Sequence, residues 1–145
     1  MSNLMFVDAN IFMYAAGKAH RYKQPCLKIL DHIEFQKIQC VTNTEVIQEL
    51  LHRYSEIGIP EKGIQLSHEI LRLPISTLPI SETDIGLALN LFEKYHPRGI
   101  KSRDAIHAAN MKFHNIIQII SADKHFDHFD FLSRIDPQKL ASKLK

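Results

Sequence analysis

Two apolar runs lie near opposite ends of the chain: LMFV at residues 4–7 and IIQII at residues 116–120. A strand with one wet face alternates apolar and polar residues; a strand covered on both faces does not. Neither run alternates, so each is expected to be a short strand buried from both sides. The intervening sequence supplies the covering layers, because amphipathic helical stretches alternate with further short strand signals. That alternation predicts an α/β fold with a mostly parallel central sheet flanked by helices. In such sheets ligands gather beyond the carboxyl ends of the strands. With 145 residues, 45% of them apolar and 23% charged, the chain has the composition of an ordered globular protein and the length of one domain, residues 1–145.

The elements are placed as follows. NIFMYAAG is a short helix ending at Gly17, and PCLKILDHIEF a second one with Pro25 in its first turn. IQCV (38–41) is the second strand. Thr42 and Glu45 make a capping-box pattern for a helix that stops at Gly58, and Pro60 opens another that runs to Arg72. ISTLPI is a strand that Pro79 confines to a sheet edge. Ser81 begins a helix with Ile85, Ala88, Leu89, Phe92 and Tyr95 on its apolar side, and Ser102 caps RDAIHAANMKFH. Beyond Asp127 the pattern gives no clear element.

Carboxylates recur where this fold gathers ligands. Asp8 ends the first strand, Asp123 follows the last strong one, Asp104 lies in the first turn of a helix, and Glu49 sits two turns into the helix after the second strand. Each has an ordinary explanation alone: strand-end aspartates make turns, and an acid near a helix start complements the macrodipole. Brought to one edge, however, they would repel one another, and a divalent cation removes the conflict. An all-oxygen set suits Mg2+ or Mn2+. Glu45 competes with Glu49, but capping accounts for Glu45. Asp127 and Asp130 compete with Asp123, which follows the strand more closely. His125 and His128 stand three residues apart, yet neither HExxH nor a nearby cysteine completes a zinc set. His107, one turn from Asp104, is read as a packing residue or a support for the acids.

The order FVDAN, VTNTEVIQELL, RDAIHAA, IISADKHFD resembles a PIN-domain ribonuclease of the VapC-type toxin family, over residues 4 to 130. The resemblance implies a PIN-like three-layer fold and metal-binding, catalytic acids at Asp8, Glu49, Asp104 and Asp123. It also implies accessory roles for Asn10, Ser121 and Asp127, Mg2+ or Mn2+ as cofactor, and hydrolysis of RNA phosphodiesters. A cognate antitoxin protein and a homodimer follow from the same resemblance. Lys101 and Arg103 flank Asp104 and are candidates for RNA phosphate contacts, with Lys18, Arg21, Lys23 and Lys28 as an extension of the track. For the dimer, Ile57, Ile59, Ile64, Leu66 and Ile70 are a candidate apolar surface.

Other classes fit less well. A haloacid-dehalogenase-like phosphatase needs a second aspartate two residues after the first, where this chain has Asn10, which is not an acid. A non-catalytic PIN-like domain that only binds RNA or protein has no reason to collect negative charge. The net charge of +2 does not announce nucleic-acid binding. No apolar run approaches the roughly 20 residues of a membrane span, and no secretory signal opens the sequence. Cys26 and Cys40, isolated from each other, suit a reducing compartment. The expectation is a cytoplasmic protein.

Overall fold

The computed structural model describes residues 3–145. Its centre is β1 (Met5–Val7), where Phe6 and Val7 have no solvent exposure. On one side β1 pairs in parallel with β2 (Cys40–Asn43), which pairs with β3 (Ser76–Leu78); on the other it pairs with β4 (Gln118–Ile120), then β5 (Ser133–Ile135). All four pairings are parallel, in the order β3-β2-β1-β4-β5. Met5 lies opposite both Cys40 and Gln118, so β1, β2 and β4 begin at one level, and Val7 and Ile120 end level with each other. The expected sheet is thus present, and β3 takes the edge that Pro79 called for.

Seven α-helices flank the sheet among the described residues. They are α1 (Ala9–Ala16), α2 (Lys23–Glu34), α3 (Thr44–Glu56), α4 (Pro60–Arg72), α5 (Glu82–Tyr95), α6 (Ser102–Phe113) and α7 (Pro137–Lys143). They pack in neighbouring pairs: α1 with α2, α3 with α4, α5 with α6, and α2 with α7. Two glycines make the α3–α4 hairpin feasible. Gly58 takes φ +80 just past the end of α3, a left-handed conformation that costs a side chain dearly. Gly63 lets α4 close on α3, since a Cβ there would lie 3.1 Å from the Leu50 carbonyl and 3.2 Å from the Tyr54 Cβ.

Several local expectations shift. The second strand lies two residues later than IQCV, and Thr42 belongs to it. Its hydroxyl donates to the Val7 carbonyl at 3.1 Å across the ladder, so it cannot cap α3. Asn43 caps instead, accepting the Val46 N–H at 3.1 Å, and Glu45 faces Arg103 rather than closing a capping box. Ser102 is the first helical residue of α6; Lys101 precedes it, and the Asp104 carboxylate accepts the Lys101 N–H at 3.1 Å. Ser81 does cap α5, in a reciprocal box with Asp84. The buried side of α5 is Asp84, Ala88, Leu91 and Tyr95, while Leu89 points outward. The segment after Asp127 adds β5 and α7, with Asp136 capping α7 ahead of Pro137. Of the apolar residues considered for a dimer surface, Leu66 and Ile70 belong to the core; Ile57, Ile59 and Ile64 are exposed. No described helix is long and apolar enough to cross a membrane.

Candidate metal centre

The ends of β1 and β4 meet where Asp8 N–H donates to the Ile120 carbonyl at 3.1 Å. Asp8 is the last extended residue before α1, and its Oδ1 caps that helix by accepting the Ala9 N–H at 2.8 Å. Its Oδ2 accepts the Ser121 hydroxyl at 2.6 Å and the Asn10 amide at 3.1 Å. Asn10 also donates to Ser121 Oγ and accepts the Ala122 N–H, and Ser121 Oγ accepts the Asp123 N–H at 3.0 Å. Asn10 and Ser121 therefore bind the two strand ends together and fix the Asp8 carboxylate between them.

Two helices bring further groups to this edge. Asp8, Glu49 of α3 and His107 of α6 place ligand atoms within 4.8 Å of one another. His107 Nε2 is 3.5 Å from Glu49 Oε1 and 4.0 Å from Asp8 Oδ1. Asp104, one turn before His107, forms a second group with Asp123 and His125, again within 4.8 Å. The four acids expected to hold a metal thus divide into two clusters, and each includes a histidine. His125, whose spacing from His128 completes no zinc set, contacts Asp123 at 2.9 Å. Its proximity depends on the 3-10 turn Lys124–His128, for which the sequence carries no plain signal.

The acids sit under electrostatic stress. Burial pushes the Asp8 carboxyl up to about 6; His107 pulls it down, while the Glu49 charge adds to the rise. Burial likewise raises Asp104, against its bond from Lys101 and with the Asp123 charge adding to the rise. For Glu49 burial is the largest influence and works upward, but the His107 contact and the charges of Arg103 and Arg53 outweigh it and leave the pKa lowered. For His107 burial works downward, and Glu49 with Asp8 overcomes it, drawing the pKa up. An added cation would relieve Asp8 and Asp104 together. The donors, hard carboxylate oxygens in both clusters, fit Mg2+ or Mn2+. Cys26 and Cys40 join neither cluster; both are buried, and burial pushes their thiols up to about 12.

Other sequence candidates lie apart. Both Asp127 oxygens face Arg134, at 2.9 and 3.3 Å, and Arg134 also donates to the Ser121 carbonyl at 3.0 Å. His128 stacks at 6.5 Å from His125 without entering the cluster. Arg103 lies 3.6 Å from Glu45, and Lys101 is exposed. Lys23 donates to the carbonyls of Ala15 and Gly17, and Lys28 to that of Leu144, so both serve the fold. Lys18 and Arg21 are exposed, with Arg21 over the Tyr22 ring. Sequence reasoning overlooked Asn43 and Asn110, which are fully buried and hydrogen-bonded to each other behind His107.

Residues 5–132 match the family model described as PIN domain. Ribonuclease VapC13 of Mycobacterium tuberculosis is 32% identical over 132 residues, 91% of this chain and 99% of that protein. The solved structure of VapC20 from Mycobacterium tuberculosis, a sarcin-ricin loop cleaving toxin, superposes with a TM-score of 0.73 at 12% identity, covering 88% of this chain and 96% of that one. A toxin-antitoxin complex from Klebsiella pneumoniae superposes with a TM-score of 0.62 at 15% identity, covering 92% and 97%.

Proposed function

Because the chain belongs to the PIN-domain family, in its VapC-type ribonuclease branch, we propose that it is a metal-dependent endoribonuclease and the toxin of a toxin–antitoxin pair. The observation that carries this reading is the convergence of Asp8, Glu49, Asp104 and Asp123 at one sheet edge, with Asp8 pushed up to about 6. These four acids would hold Mg2+ or Mn2+. The bound ion supplies positive charge to the phosphoryl oxygens and acidifies a water.

The chain's own residues do the rest. Asn10 and Ser121 hold Asp8 by both Oδ2 contacts, so its carboxylate cannot rotate away from the cluster. The backbone N–H of Lys101 fixes Asp104, and that of His125 fixes Asp123. Such fixed donors keep the carboxylates in place as charge develops on the phosphate. Lys101, exposed next to Asp104, is the nearest candidate for an RNA phosphate. Arg103 is half-committed to Glu45 and is the weaker of the pair. Asp127 supports the site indirectly, by holding Arg134 against the Ser121 carbonyl. The reading includes one nuclease domain over residues 1–145, a cytoplasmic location, an antitoxin partner and a homodimer.

The deciding experiment incubates the full chain with mixed cellular RNA and Mg2+ or Mn2+, with and without EDTA, and maps the cut ends. Cleavage that EDTA and Asp8→Asn both abolish is the expected result. RNA left intact by clean protein with either metal would favour a binding domain without catalysis.

A further inference from the structure

Behind the acids runs a buried chain of amides whose polarity is set at both ends by the backbone. At one end the Val46 N–H, which can only donate, points at Asn43 Oδ1 at 3.1 Å. This identifies the other Asn43 atom as the NH2 group. At the far end Asn110 Nδ2 meets the Pro79 carbonyl, which can only accept, at 3.2 Å and Asp84 Oδ2 at 3.0 Å. Asn110 Oδ1 must then face Asn43, and Asn43 Nδ2 donates to it at 3.1 Å. The second Asn43 hydrogen points at His107 Nδ1, also at 3.1 Å. A hydrogen on that nitrogen would meet a donor head-on. The ring therefore carries its hydrogen on Nε2, the atom that faces Glu49 and Asp8.

We infer that Asn43 and Asn110 lock His107 as an Nε2–H donor, so that His107 positions the Glu49 carboxylate beside Asp8 and is not itself a metal ligand. Proximity alone would suggest the opposite, since its Nε2 lies within ligand distance of both acids. A ligand nitrogen needs a free lone pair, however, and the one on Nε2 is used by its hydrogen. The remaining lone pair, on Nδ1, faces the Asn43 amide. The ring has no room to flip and swing Nδ1 away from Asn43: it is 1% exposed and packed between Phe6 and Phe126, with ring centroids at 5.2 and 6.5 Å. Glu49 Oε1 faces the imidazole N–H at 3.5 Å, and Asp8 Oδ1 lies 4.0 Å from the same nitrogen while accepting the Ala9 N–H. The cluster around Asp8 is then an all-oxygen site despite its histidine.

This inference rests on the metal-centre reading for its consequence but not for its test. The full chain is labelled with 15N-histidine, and the two-bond correlations of each ring are recorded in EDTA at alkaline pH, where the neutral ring is the one observed. The His107 signal is assigned by its contacts to the Phe6 and Phe126 rings. The expected pattern is a protonated Nε2 and a bare Nδ1; a protonated Nδ1, with or without Nε2–H, overturns the assignment. Asn43→Asp still accepts the Val46 N–H but offers His107 an acceptor, so there the Nδ1 resonance should move upfield to the protonated position. A bare Nδ1 in a folded Asn43→Asp protein would show that Asn43 does not set the tautomer. Adding Cd2+ to the unaltered chain should leave the His107 Nε2–H in place, whereas a cadmium-coupled Nε2 line overturns the claim that the ring is no ligand. If no metal binds at all, the metal-centre reading fails while the EDTA spectrum still decides the tautomer.

Discussion

Burial makes the Asp8 charge more costly than it is in water, and this has a measurable sign. Its pKa is about 6 in the folded chain against 3.8 for an unperturbed aspartate. The folded form thus holds the proton more tightly, and the stability this gives is complete below pH ~4 and lost as pH rises through 6. The difference corresponds to about 3 kcal/mol at most. In EDTA the Asp8 contribution should therefore make the protein melt at a lower temperature at pH 7.5 than at pH 5. Asp8→Asn should flatten that pH slope while abolishing RNA cleavage; calorimetry at the two pH values checks the first part, and an unchanged slope would remove Asp8 as its source. Asn substitutes imperfectly, since its NH2 must face either Ala9 N–H or Ser121, so the gain at pH 7.5 should fall short of the full figure. The two glutamates of α3 provide a second contrast. Glu49→Gln should lower cleavage and Mn2+ affinity by about 10- to 100-fold, as loss of a ligand or its support does. Glu45→Gln removes only a partly exposed pairing with Arg103 and should leave both within about twofold; titration calorimetry with Mn2+ distinguishes them. Asp8, Asp104 and Asp123 were legible because each stands beside a strand end or helix start. Asn43 and His125 were not, because their partners come from residues far along the chain or from an irregular turn.

The helices show how far local signals reach. Pro60 at the first position of α4 and Ser81 before α5 were readable because a proline start and a serine cap act within one turn. The start of α3 was misplaced because Thr42 looks like a cap in sequence but spends its hydroxyl on the Val7 carbonyl, a contact 35 residues distant. The C-terminal elements were missed since β5 is a three-residue edge strand with a mixed pattern. Two changes test element packing away from the acids. Ser81→Ala breaks the capping box of α5 and should reduce stability by about 1 kcal/mol, with cleavage per folded molecule unchanged. Gly63→Val forces side-chain bulk between α4 and the α3 backbone and should cost about 1–3 kcal/mol or more, read as a lower denaturation midpoint. A midpoint at the unaltered value would mean that the α3–α4 contact yields far more easily than its 3.1 Å approach implies.

At the scale of the whole molecule, the surface left by α3 and α4 carries Ile57, Ile59 and Ile64 at 61%, 42% and 50% exposure. Apolar residues grouped this way suit a self-complementary contact. The proposed dimer should scatter light at twice the 16.7 kDa chain mass at micromolar concentration, and Ile57→Lys with Ile64→Lys should halve that mass without unfolding. A monomer before substitution would sink the dimer claim. The proposed antitoxin is expected to set a cationic side chain among the acids, where burial holds the pKa of Asp8 and Asp104 up. Co-purification from the native host should recover a basic-tipped partner that Mn2+ competes away; protein recovered alone and active would mean a free-standing nuclease.

The position of β1 at the middle of the sheet also governs the order in which the molecule can be made. β1 precedes both strands it pairs with, and of these β4 begins only at Gln118. Until then β1 has one unpaired edge, Asp8 has no Ser121, and Asp104 has no Asp123. Pairings between such distant segments close late and slowly. The proposed site is therefore a late product of folding: whatever chemistry it performs must wait until β4 has docked against β1.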